Sequence, residues 1–308
     1  MSAQPILHHF EASPFSEKIR IIFGFKKIAW QSSLIPRILP KPDLMPLTGG
    51  YRRTPVMQIG ADVYCDTAII MREVERRFPA PTLFPSGNSG LPWMVGQWGD
   101  RAFFLSTVNL VFGSLGDKVP KEFIEDRTKL RGAPFDIKAM TAGLPHHRAQ
   151  LRAHLGLIEM QLKDRARDWL LGEFSLADVN AYMNVWYVRS NLAELADELF
   201  ADFPATRDWE RRVRAVGHGP RTDISPRDAL EIASRGRPIP AEPSDPTDPS
   251  GCKVGDRVAV FADEFVKTEI VGEIESLSVE QVAIRRTDPT VGEVVVHFPR
   301  AGYVVAAR

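Results

Sequence analysis

The stretch Ser13-Pro14-Phe15-Ser16-Glu17-Lys18-Ile19-Arg20, SPFSEKIR, follows a short apolar run and opens a helical pattern. Pro14 suits the first helical position, which makes Ser13 the N-cap and Ser16 the third helical residue. A redox protein of thioredoxin type would carry Cys-x-x-Cys at this junction. Here both sulfur positions are hydroxyls. One reading is a helix cap and nothing more. The other uses the same geometry: free backbone N–H groups and the positive dipole end face outward, a natural place for an anion or a thiolate. A cap hydroxyl can also donate to a ligand's sulfur and favour its thiolate form. The neighbouring sequence has to decide.

Outward from this junction, Ile6 to His9 reads as a strand, and Ile19, Ile22 and Phe23 share one face of the helix that follows. The alternating His8 and His9 should send one ring inward. Trp30 to Ile35 is strand-like and leads into a Pro-rich loop. Val56 to Ile59, a turn at Gly60-Ala61-Asp62, and Val63 to Cys65 read as a hairpin. Thr67 to Phe78 is an amphipathic helix stopped by Pro79 and Pro81. The order βαβ then ββα predicts a thioredoxin-like α/β domain over residues 1–85. Residues 91–235 carry a helical period and predict an all-α domain, with at most short helices in the Gly- and Pro-punctuated section 113–145. Residues 236–251 hold five prolines and read as a semi-rigid tether. Residues 252–308 switch to period two in five short runs, which predicts a separate, small SH3-like β-barrel. The fold class is α+β, multidomain.

Composition narrows the function. Lys+Arg and Asp+Glu are 39 each, which weakens a nucleic-acid reading. In the C-terminal module seven cationic residues stand against nine acidic ones, no grip for a phosphate backbone. Cys65 and Cys252 fit neither a metal nor a disulfide spacing and suit a reducing compartment. No His-Glu-x-x-His or similar spacing calls for a metal. No apolar run reaches the length of a membrane span, and the N-terminus lacks the pattern of a secretory signal, so a cytoplasmic location is expected.

Two further junctions bear on chemistry. Pro55 precedes a strand and should sit at its start or edge; a cis Thr54-Pro55 bond would present the N–H and C=O of Thr54 to an extended ligand. Asp66-Thr67 lies between a strand and a helix. Either residue could cap the helix, or the pair could hold the carboxylate and ammonium of an amino acid.

Together these junctions resemble the glutathione transferase superfamily over about residues 5–235. Phe174-Ser175 through Tyr187, FSLADVNAYMNVWY, is similar to that family's helix-start motif, with Ser175 as N-cap, Asp178 at N3 and Phe174 able to staple onto Val179. The resemblance implies that Ser13 activates the glutathione sulfur, in the serine manner of tau-like and many bacterial members rather than the cysteine manner of omega-like ones. It implies a glutathione site made of Ser13, Phe15, Thr54, Pro55, Asp66 and Thr67, with Lys41 reaching the glycyl carboxylate and Arg52 and Arg53 as alternatives for that anion. It also implies an electrophile pocket near Trp98, Phe103, Phe104, Phe112 and Trp186, detoxifying conjugation or glutathione-dependent isomerisation, a hydrophobic electrophile as second substrate, and a homodimer. Ser13 cannot form a mixed disulfide, so thiol–disulfide exchange is disfavoured. The C-terminal barrel departs from the family pattern; its Val296-to-Tyr303 stretch could touch a partner. The rival class is a protein of transferase fold that binds glutathione or an apolar ligand without turnover, or dimerises.

Overall fold

The computed structural model describes residues 4–87, 89–163 and 167–308. In chain order the first domain comprises β1 (Ile6–His9), α1 (Pro14–Phe25), β2 (Trp30–Leu34), α2 (Met45–Thr48), β3 (Val56–Ile59), β4 (Asp62–Cys65) and α3 (Thr67–Arg77). β1 runs parallel to β2 and antiparallel to β3, and β3 and β4 form the expected hairpin. The helical part follows as α4 (Leu91–Trp98), α5 (Phe104–Leu115), α6 (Lys121–Arg131), α7 (Ile137–Ala142), α8 (Leu144–Lys163), α9 (Leu176–Asn191), α10 (Ala193–Phe200) and α11 (Pro204–Ala215). The chain then forms β5 (Arg221–Asp223), α12 (Pro226–Arg235) and a β module of β6 (Arg257–Ala262), β7 (Ile270–Leu277), β8 (Gln281–Asp288), β9 (Gly292–Pro299) and β10 (Tyr303–Ala307).

Section 113–145 is more helical than its sequence suggests. α6 spans 11 residues and ends in Gly132, left-handed at φ 68°. Only Phe123 and Asp126 of it are buried, so its apolar stripe is too thin to read as a period.

The ten strands of the described residues form one sheet, ordered β10-β6-β7-β8-β9-β4-β3-β1-β2-β5. The β module is therefore not separate. Its β9 runs parallel to β4, pairing Asp62 with Val295, Val63 with Val296 and Tyr64 with His297. An exposed β4 edge would leave a row of unpaired backbone groups, and β9 satisfies them. At the opposite end β5 pairs with β2, so the chain returns to the sheet at Arg221, before the expected end of the helical domain. The proline-rich segment is tied down as well: Ile239 N–H donates to Asp62 Oδ2 at 2.9 Å and Asp245 N–H to the Leu277 carbonyl at 2.8 Å.

Alternation along the strands now has two cores to serve. Met57, Ile59 and Tyr64 join the core that α1, α3 and the helical part share, while Val56, Val63 and Cys65 join a second core with the β module and α12. This is why β1, β3 and β4 are buried at every position. His8 and His9 are both fully buried, one on each face: His8 Nε2 lies 2.9 Å from Gln58 Oε1, and His9 Nε2 2.9 Å from Ser32 Oγ. Cys65 is a buried small side chain, and burial pushes its thiol up.

The helical part is anchored by Asp178. Its carboxylate accepts from Ser175 N–H and Oγ, both at 3.0 Å, from Leu170 N–H at 2.9 Å and from Trp209 Nε1–H at 2.8 Å. Phe174 lies 4.3 Å, ring to ring, from Phe25 and so locks this helix start to α1.

Candidate functional site

The ladder register gathers the three sequence junctions. His8 pairs with Val56 at the end of β1, and Val56 pairs with Cys65 at the end of β4. Phe10 to Ser13, Thr54-Pro55 and Asp66-Thr67 therefore leave the sheet at one edge. The N-termini of α1 and α3 start there too, so two positive dipole ends share that edge.

Ser13 caps α1 as expected: its Oγ accepts from Ser16 N–H at 3.1 Å, while its N–H donates to the Phe10 carbonyl at 3.1 Å. A hydroxyl that accepts this bond still has its own hydrogen to give. Ser13 is 2% exposed and Ser16 is fully buried, its Oγ without a partner among the described residues. Phe15 packs edge-on against Phe104 of α5 at 4.8 Å.

The Thr54-Pro55 bond is cis. The β3 ladder starts at Val56, so the N–H and C=O of Thr54 lie outside it. Lys41 is 3% exposed and reaches this segment, donating to the Arg52 carbonyl at 2.8 Å and to Thr54 Oγ1 at 2.9 Å. Burial and the neighbouring Arg127 and Arg52 lower its pKa to about 8, against the pull of Asp126. Arg52 and Arg53, the alternatives for the glycyl carboxylate, both have acidic partners: Arg52 pairs with Asp126 of α6, and Arg53 with Glu264 of the β module.

Asp66 caps α3 at φ 96°, a left-handed backbone uncommon outside glycine, and accepts from Ala68 N–H at 2.8 Å. Its Oδ2 also lies 3.3 Å from the Tyr303 hydroxyl of β10. Burial raises the Asp66 pKa, the nearby Asp100 adds to this, and Ala68 N–H, Lys18 and Tyr303 oppose it. Thr67 follows at the first helical position and is buried.

Sequence reasoning missed Tyr303, Lys18 and Asp100. Lys18, fully buried on α1, donates to Asp100 at 2.6 Å. Asp100 sits in a π-helical turn, Gly99–Phe103, between α4 and α5. Gly99 lets this turn approach α9, since a Cβ there would stand 2.6 Å from the Asn180 carbonyl oxygen. The apolar Tyr303-to-Ala307 run offered one signal, a tyrosine opening a strand, but nothing in it points to Asp66.

The expected pocket aromatics divide. Phe104 meets Phe15, and the Trp186 ring lies 5.7 Å from the Arg20 guanidinium of α1, so both face the first domain. Trp98 and Phe103 instead stack on each other at 4.9 Å and contact His154 of α8. Phe112 packs with Phe123 and Phe135 inside the helical part.

Comparison with known proteins follows the same division of the chain. Residues 7–82 match the family described as Glutathione S-transferase, N-terminal domain, and residues 141–212 match Glutathione S-transferase, C-terminal domain. A crystal structure of a GST-like protein from Pseudomonas syringae is similar over 100% of both chains, with 36% identity and a TM-score of 0.83. The likeness thus includes the β module. FtsZ-localized protein A of Caulobacter vibrioides is 29% identical over 222 residues, 70% of this chain and 89% of that protein. The structure of FzlA from C. crescentus matches 74% of this chain and 92% of its own, with 25% identity and a TM-score of 0.51. The described residues contain no group of three or more His, Cys, Asp or Glu that could hold a metal, and no helix long and apolar enough to cross a membrane.

Proposed function

Because the chain belongs to the glutathione S-transferase superfamily, we propose that it binds glutathione along the shared sheet edge and adds its thiolate to an electrophilic small molecule. The observation that carries this reading is the convergence of Ser13, Thr54 and Asp66-Thr67 at one edge, beneath two helix N-termini. Thr54 would pair with the cysteinyl backbone, Thr67 with the γ-glutamyl carboxylate and Asp66 with its ammonium. Lys41 would face the glycyl carboxylate, and Phe15 and Pro55 would wall the tripeptide. The Ser13 hydroxyl would donate to the sulfur. Lowering a thiol pKa of about 8.5–9 by roughly two units raises the thiolate fraction at pH 7 from about one to three per cent to about half or three-quarters. The thiol proton leaves to solvent, the sulfur forms a bond to carbon, and the leaving group departs with its electron pair; in an isomerisation the same S–C bond breaks again. Phe104 and Trp186, which contact Phe15 and Arg20 of the first domain, would face the electrophile. A cytoplasmic homodimer acting in detoxification completes the reading.

The test is thiolate absorbance near 240 nm on adding glutathione to the wild type, Ser13→Ala and Ser16→Ala. A signal lost in Ser13→Ala and kept in Ser16→Ala is expected. Binding without a thiolate signal in the wild type would overturn the catalytic step.

A second reading is a binding protein without turnover. The 2% exposure of Ser13 favours it, as does the likeness to FtsZ-localized protein A, whose name describes a location rather than a reaction. Glutathione binding with no thiolate signal is its expected outcome.

A further inference from the structure

The seam between the loop after β2 and α6 collects more positive charge than it neutralises. Arg37, Lys41, Arg52 and Arg127 meet there, and the carboxylate among them is Asp126, which pairs with Arg52 and stands 3.7 Å from Arg127. Arg37 and Lys41 have no carboxylate partner among the described residues. Arg37 is exposed, yet its guanidinium is held between two rings, 5.7 Å from Phe10 and 5.2 Å from Phe123. Arg127 lies 4.6 Å over the same Phe123 and donates to the Arg37 carbonyl at 3.0 Å. Two guanidiniums thus rest on one aromatic bed, and of the two it is Arg127 that has a carboxylate, Asp126, within ion-pair distance.

Tyr187 of α9 closes the group. Its ring is 6.4 Å from Phe104, and its hydroxyl feels both Arg37 and Arg127. That hydroxyl makes no hydrogen bond to a described residue. Phe10, whose carbonyl accepts from Ser13 N–H, connects the cluster to the α1 N-terminus.

We propose that Arg37, Arg127 and the Tyr187 hydroxyl form a subsite for the acidic group of an aromatic second ligand, its ring lying by Phe10 and Phe104. The inference rests on the proposed glutathione reading for what stands beside that ligand, though not for the subsite itself. A carboxylate or sulfonate suits paired guanidiniums, which present forked donors, and the aromatic surroundings suit a flat apolar body. The same anion chemistry could come from glutathione's own glycine end.

The experiment is calorimetry on the full chain at low salt, without glutathione, comparing 2-naphthoate with 2-naphthylmethanol. Naphthoate should bind about tenfold tighter. Arg37→Gln and Arg127→Gln should remove that advantage and leave naphthylmethanol unchanged. Equal affinities in the wild type, or an advantage that survives in the double variant, would overturn the subsite. S-methylglutathione and its glycinamide analogue form a second arm. If Arg37→Gln weakens the former by the factor it costs naphthoate and spares the latter, the anion is glutathione's glycine carboxylate and the second ligand is not the source. Failure of S-methylglutathione to bind while naphthoate keeps its advantage sinks the glutathione reading alone.

Discussion

The Tyr303 hydroxyl lies 3.3 Å from Asp66 Oδ2, across 237 residues of chain, and gives the β module a direct hold on the α3 N-cap. The module holds the other side of the site as well, through Glu264 and Arg53, next to Thr54. A segment that looks like an appendage in sequence therefore touches two of the three junctions.

Tyr303→Phe removes a donor from a carboxylate whose pKa burial already raises. The ammonium of a γ-glutamyl group needs that carboxylate ionised, so affinity for glutathione should fall as pH drops through the raised pKa. In the variant the fall should begin at higher pH. Near neutral pH the expected loss is roughly three- to tenfold in Kd. An analogue lacking the γ-glutamyl amine serves as control in calorimetry. An equal loss for both ligands would mean that Tyr303 only supports the fold.

The β module and the first domain should unfold as one. Tyr64 and His297 are register partners whose rings stack at 4.5 Å and 13°, and His297 Nε2 lies 2.9 Å from Asp62 Oδ1. A protease site introduced at Thr247, an exposed turn position, should be cut without releasing the module. Separate elution of the two pieces in native buffer would contradict this.

Local signals were legible and distant ones were not. The Ser13 cap and the Ser175–Asp178 helix start depend on residues within a few positions of one another, and the structure has both; the Thr54-Pro55 junction was legible by its place before β3, but not by its isomer, which is cis. The β4–β9 pairing joins residues 233 positions apart, such as Asp62 and Val295. Period-two alternation shows that each strand has buried faces but says nothing about its neighbour. Lys41 was legible as a cation near Thr54. Its neighbour Arg127 comes from the packing of α6, which no local pattern reveals.

The two buried histidines should steepen acid unfolding. Burial lowers the pKa of His8 to about 4, and burial with Arg20 lowers that of His9 to about 3. The unfolded chain takes up these protons below about pH 6.5 while the folded chain does not, so stability present above that pH is lost as pH falls towards 4. Each histidine adds a slope of at most about 1.4 kcal/mol per pH unit. His8→Gln should remove about one proton's slope between pH 6 and 4.5, measured by urea unfolding. An unchanged slope would place the acid sensitivity elsewhere.

Lys41 gives the most direct check on where the glycine end of glutathione lies. With its pKa lowered to about 8, Lys41 is about half protonated at pH 8 in the free protein. A carboxylate brought beside it favours the charged form, so binding should draw in roughly half a proton at pH 8 and almost none at pH 6.5. S-methylglutathione lacking the γ-glutamyl amine has neither a thiol nor an amine to confuse the count. Calorimetry in two buffers of different ionisation enthalpy measures the uptake. Lys41→Met should abolish it and weaken binding, whereas Lys41→Arg should abolish it and retain most of the affinity, because a guanidinium stays charged throughout this range. Uptake that persists in Lys41→Arg would assign the proton to another group and remove Lys41 from the site.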